Sequence, residues 1–155
     1  MTTMLERRRI EAELARLFFA TLSDELGEER ARELLAKTIE KAAETQAKAL
    51  VASGQKVHSP ADIAELVTVF AQGGALEVEF VDKSERSLGF NVTRCKFAEM
   101  YTELGLKDLG KTLSCNRDGT FFCSLNGDIA FKRTQTIMEG AEHCDFRFAF
   151  PARKA

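Results

Sequence analysis

The sequence has no C-x-x-C pair, and its two histidines, His58 and His143, lie far apart. A structural zinc site usually shows two ligands within a few residues of each other, so no metal is expected. Basic excess is missing too: 22 lysines and arginines face 24 acidic residues, a net charge of -2. Nucleic-acid domains carry a clear positive surplus, and acidic membranes ask for the same, so neither is an expected partner. No apolar run approaches the ~18 residues of a membrane span. The charged N-terminal stretch leads into an amphipathic helix rather than a signal-peptide core, which suggests a cytoplasmic protein. Phosphate-binding glycine loops, H-E-x-x-H and G-x-S-x-G are all absent, which removes nucleotide-binding, zinc-protease and serine-hydrolase readings and leaves no expected cofactor.

What is present suits one domain over residues 1–155, with 45% hydrophobic and 30% charged residues. Residues 1–72 are rich in Ala, Leu, Glu, Lys and Arg and should form a helical layer. In a first helix Leu5, Ile10, Leu14, Leu17 and Phe18 make an apolar stripe, with Arg7, Arg8 and Arg9 expected on a solvated face. A second helix starts near Glu28 and stops at Gly54; its length suits a sheet or a partner subunit, so homo-oligomerisation through the N-terminal helices is one expectation. A third starts at the cap Ser59, with Pro60 first in the helix and Asp62 three residues after the cap.

After Gly73 and Gly74 the apolar period changes to two. Leu76, Val78 and Phe80, then Leu88, Phe90 and Val92, predict two strands joined by the loop DKSERS. Lys96 to Leu106 returns to helical spacing. The turn signals Asp118-Gly119 and Asn126-Gly127 predict a hairpin around a short strand holding Cys123. Further strands are expected at residues 129–137 and 144–150. The fold class is therefore α+β: an N-terminal helical layer on a mostly antiparallel sheet in residues 75–150, with one inserted helix.

The candidate chemistry lies in that second part. Strand alternation puts Asn91, Thr93 and Cys95 on one face, opposite Phe90 and Val92. Cys115 sits three residues before Asp118, where a carboxylate would raise a thiol's pKa, so Asp118 reads as a proton acceptor or substrate anchor. Arg133 is a candidate carboxylate clamp, with an ion pair to Glu79 or Asp145 as the structural alternative. His143 and Cys144 are adjacent, but neighbours on a strand face opposite ways, which weakens a Cys-His dyad.

Three ordered segments, FNVTRCKFAEMYTELGLKDLG, LSCNRD and FKRTQTIMEGAEHCDFRF, resemble the L-2-amino-thiazoline-4-carboxylic acid hydrolase family over residues 75–150. The matched positions are Asn91, Thr93, Cys95, Glu99, Gly105, Cys115, Asp118, Arg133, Thr136, Gly140, Cys144, Asp145 and Phe146. The resemblance implies hydrolytic opening of a small cyclic amidine-like ring, a thiazoline giving a carbamoyl-cysteine. It implies a nucleophile, either Cys115, Cys144 or Cys95 or a water activated by Asp118, with Asp118 or Asp145 moving protons. Asn91, Thr93 and Thr136 would bind the ring and Arg133 its carboxylate. A non-catalytic small-molecule sensor is the rival reading.

Overall fold

Thr3 and Glu6 form a capping box that starts helix α1 (Met4–Leu26). Gly27, at φ 84°, ends it and opens α2 (Glu28–Ala52). A second capping box, Ser59 with Asp62, starts α3 (Pro60–Phe70) as the sequence predicts. The computed structural model describes residues 1–152. Strands β1 (Leu76–Lys83) and β2 (Ser87–Cys95) follow, then helices α4 (Lys96–Glu103), α5 (Lys107–Gly110) and α6 (Asn116–Leu125), then β3 (Ala130–Lys132) and β4 (Cys144–Ala149). The strands form one antiparallel sheet in the order β1-β2-β4-β3, so the α+β class holds. Among the described residues no helix is long and apolar enough to cross a membrane.

The core follows from the period-two pattern. Leu88, Phe90 and Val92 of β2 and Phe146 and Phe148 of β4 point to one face, where Phe90 stacks on Phe146 with centroids 4.9 Å apart. Helix α6 covers that face through Phe121, Phe122 and Leu125, the Phe122 ring meeting Phe148 edge-on at 4.8 Å. Each such ring contributes about 1.5–3 kcal/mol by leaving water. A second cluster joins α1, α2 and α4 through Ala12, Leu35, Ile39 and Tyr101. Cys95 and Ile137 pack against both clusters.

The structure corrects four sequence expectations. The hairpin around Cys123 is a helix: Leu113, Arg117, Phe121 and Leu125 recur every four residues and are all buried, a helical face that overrides the Asp118-Gly119 turn signal, while Asn126-Gly127 forms the turn that follows it, with Asp128 N–H donating to Asn126 Oδ1 at 2.9 Å. The inserted element is thus α4 plus a second helical run from Lys107 to Leu125. That run contains a wide π-turn at Lys111–Cys115, a local widening often found at functional sites. The strand expected over 129–137 is only three residues long, because the Asp145 carboxylate takes the backbone N–H groups of Thr134 and Gln135 at 2.8 and 2.9 Å.

Thr93 is a bulge. Arg94 pairs with Glu77 and Val92 with Val78, leaving Thr93 with no partner on β1. The extra residue turns Cys95 back toward the face of Phe90 and Val92, so the predicted polar row of Asn91, Thr93 and Cys95 does not exist. On α1, finally, Arg8 is buried at 8% exposure while Ile10, Leu14, Leu17 and Phe18 stand 57–63% exposed. Arg8 alone turns inward; Arg7 and Arg9 keep 66% and 43% of their side-chain surface accessible, as expected.

Candidate functional site

A cavity of about 140 Å³ lies between the sheet and helices α1, α2, α3 and α6. Most of its wall is apolar, from Val67 and Phe70 of α3, Phe90 and Val92 of β2, and Phe121 and Phe146. Into this wall project Cys95, Cys115, Cys144, Asp118 and Arg133, five of the residues singled out in the sequence. They come from three separate segments. The end of β2, past the bulge at Thr93, supplies Cys95; the run of π-turn and α6 supplies Cys115 and Asp118; and the stretch from the end of β3 to β4 supplies Arg133 and Cys144.

Gly110, just before the π-turn, packs closely on Met138. A Cβ at that position would lie 2.3 Å from Met138 Sδ, so a larger residue there would have to push the buried Met138 side chain aside.

Asp118 and Arg133 form an ion pair across the cavity, and Arg133 Nη2 also donates to the Cys115 carbonyl at 3.0 Å. The guanidinium lies over the rings of Phe146 and Phe131, 5.3 and 5.7 Å from their centroids. Asp118 is hemmed in by protein yet 32% of its side-chain surface is accessible, and that surface opens on the cavity. Burial raises its pKa to about 6, against the pull of Arg133. Such a carboxylate is ionised at neutral pH and more basic than an ordinary aspartate, as general-base work requires.

The same burial works against the three thiols as nucleophiles. Burial pushes Cys95 up to about 11 and Cys115 up to about 12, with Asp118 adding to the rise at Cys115. Cys144 is raised as well, chiefly by burial. Two of the sulfurs already act as acceptors: Cys95 Sγ from Ala98 N–H at 3.4 Å, Cys144 Sγ from Ile137 N–H at 3.2 Å. A nucleophilic cysteine sits in surroundings that lower its pKa, and none of these does.

The remaining sequence candidates lie outside the cavity. Asn91 Oδ1 accepts from Arg147 Nη2 at 3.0 Å on the outer face of the sheet. Thr93 is exposed, its hydroxyl 3.4 Å from the Glu77 carbonyl. Thr136 caps a short turn, accepting from Glu139 N–H at 3.2 Å and donating to Glu139 Oε2 at 2.9 Å. Asp145 ties down the loop at Thr134 and Gln135, and Gln135 Nε2 donates to the His143 carbonyl at 3.0 Å. Arg133 pairs with neither Glu79 nor Asp145. Among the described residues no group of three or more His, Cys, Asp or Glu side chains is placed to hold a metal ion.

Two cavity residues escaped the sequence reading, Arg8 and Arg117, both under 10% exposed. Arg8 Nη1 and Arg117 Nη2 bind the same oxygen, Glu11 Oε2, at 2.7 and 2.9 Å, and Arg117 Nε donates to the Leu113 carbonyl at 2.9 Å. The four-residue spacing of Leu113, Arg117 and Phe121 was the signal that would have placed Arg117 on an inward helical face.

The family model for L-2-amino-thiazoline-4-carboxylic acid hydrolase matches residues 7–148, so the match takes in the N-terminal helices as well as residues 75–150. No curated protein matches the chain. Among solved structures, the phenol-responsive sensory domain of the transcription activator PoxR, crystallised with phenol, is similar in fold. The TM-score is 0.53 at 18% identity, over 90% of this chain and 73% of that one.

Proposed function

The chain belongs to the L-2-amino-thiazoline-4-carboxylic acid hydrolase family, and from that premise we propose that it opens a small cyclic amidine-like ring with a water activated by Asp118. The observation that carries this reading is the pairing of one basic, cavity-facing carboxylate with three thiols that stay protonated at neutral pH.

Water gives one proton to Asp118 and its oxygen bonds to the ring carbon of C=N. The ring nitrogen takes that proton back from Asp118, leaving a neutral tetrahedral carbon. Asp118 then removes the new hydroxyl's proton as the C=O forms and the carbon–sulfur bond breaks, and passes it to the departing sulfur. Atoms balance: thiazoline plus water gives a carbamoyl-cysteine with a free thiol. Arg133 holds Asp118 in place and keeps it ionised, while the aromatic wall excludes bulk water. Cys95, Cys115 and Cys144 shape the ring's seat.

A second reading, non-catalytic binding of a small ring, is favoured by the aromatic wall and by the fold shared with a phenol-responsive domain. Incubation with 2-amino-thiazoline-4-carboxylate followed by mass analysis separates the two. Hydrolysis adds the mass of one water and frees a thiol; a sensor returns the ring unchanged.

The exposed stripe of α1 suits a second copy of the chain. An antiparallel pairing about Leu14 and Leu17 sets Ile10 against Thr21 and Arg7 against Asp24 of the other copy, a self-complementary pattern that a two-fold interface requires. Leu17→Glu then converts a dimer to a monomer in sedimentation; a monomeric wild type refutes the pairing.

A further inference from the structure

We propose that Arg8 and Arg117, with Gln46 beside them, form the anion-binding end of the cavity and hold the carboxylate of the ring substrate, which makes the N-terminal helix a determinant of specificity. This rests on the reading of the cavity as the site of a ring-opening hydrolase.

Charge balance leads there first. Arg8, Arg117 and Arg133 face the cavity, and their carboxylate partners are Asp118 and Glu11. Three guanidinium groups against two carboxylates leave one positive charge, which a substrate carboxylate would neutralise. Arg133, the sequence candidate for that task, is already engaged by Asp118 and by the Cys115 carbonyl. Arg8 and Arg117 are not saturated: they share a single oxygen of Glu11, and Arg8 Nη2 reaches Gln46 Oε1 only at 3.5 Å.

Free donors point the same way. Arg117 Nη1 makes no hydrogen bond among the described residues, yet the one sealed and unpaired side-chain polar atom among them is Ser23 Oγ. The Nη1 group therefore borders open volume, and the volume Arg117 lines is this cavity. Burial, seconded by the Arg8 charge, weakens the hold of Arg117 on its proton, the signature of a cation short of anions. Two guanidinium forks side by side suit a planar carboxylate better than a point cation does. Both cations also act to lower the pKa of Asp118, so the anion end and the base lie within electrostatic reach of each other.

Calorimetric binding of two rings tests the proposal, 2-amino-thiazoline-4-carboxylate and 2-amino-thiazoline, which lacks the carboxylate. Asp118→Asn with Arg133→Met serves as background, so that binding is read without turnover and without the guanidinium that loss of Asp118 would free. Adding Arg117→Met should weaken the carboxylate ring by about tenfold or more, the usual scale of a lost charge-assisted contact, and leave the other ring unchanged. Arg8→Gln should also erase the preference, and covers the case in which Arg117→Met fails to fold. Unchanged preference in a folded variant, or equal weakening of both rings, overturns the proposal. Wild-type hydrolysis is scored separately: turnover with unchanged preference sinks the anion site alone, and lost preference without turnover sinks the hydrolase reading alone.

Discussion

Asp118 and Asp145 are the same side chain in opposite surroundings, one facing an apolar cavity and the other pinned on the outside of the sheet. For Asp145, burial works upward but hydrogen bonds from Thr134 and Gln135 outweigh it, and its pKa is lowered. For Asp118, burial wins over Arg133, and the pKa rises to about 6. The difference separates a carboxylate that stabilises the fold when charged from one that, on the proposed reading, takes a proton from water. Both positions carry the family resemblance. Matched sequence therefore marks structure as readily as chemistry, and only the surroundings tell the two apart.

The sharpest way to break this contrast is paired removal of charge. Asp118→Asn should lower kcat by about 10²–10⁴, the usual contribution of a general base, while Asp145→Asn should leave kcat within severalfold. Comparable losses in steady-state kinetics would remove the distinction. Replacing Arg133 with Met takes away a cation that lowers the pKa of Asp118, so the acidic limb of kcat/KM should move above pH 6. A limb that stays put would mean that Asp118 is not the titrating base.

Stability offers a third test, with opposite signs at the two sites. The raised pKa of Asp118 means its contribution is full below about 3.8 and is lost as pH rises through about 6. The lowered pKa of Asp145 means its contribution is present above 3.8 and is lost as pH falls through its depressed value. Urea unfolding across pH 3–8 should show Asp145→Asn losing about 1 kcal/mol at neutral pH, the scale of one hydrogen-bonded charge, and nothing at the acid end. Asp118→Asn should gain on wild type as pH rises. Smallest of all, Cys95→Ala, Cys115→Ala and Cys144→Ala should each keep turnover within about tenfold, since a wall residue that makes and breaks no bond contributes less than a general base; loss of all activity in one of them would restore a covalent thiol.

How far the sequence reveals these features depends on whether local pattern and tertiary context agree. Leu88, Phe90 and Val92 alternate cleanly because one face of β2 is core, and the Ser59–Asp62 capping box is chemistry local to four residues. Both were readable. The helix through Asp118 was not, because Asp118-Gly119 carries turn chemistry inside it while the stabilising face, Leu113 to Leu125, is spread over thirteen residues. Thr93 as a bulge leaves no mark in one strand read alone, since it exists only against the register of β1. Arg8 was placed in water by residue type. Its burial depends on Glu11 one turn on and on Arg117 from a helix more than a hundred residues away.

The most direct test is the pH dependence of thiol release from 2-amino-thiazoline-4-carboxylate by the wild-type chain. Asp118 as base predicts a rate that rises through an apparent pKa near 6 and stays level to pH 9. A rate that is flat through pH 6 and climbs only above about pH 9, as the raised cavity thiols begin to ionise, would place a cysteine at the centre of the chemistry instead.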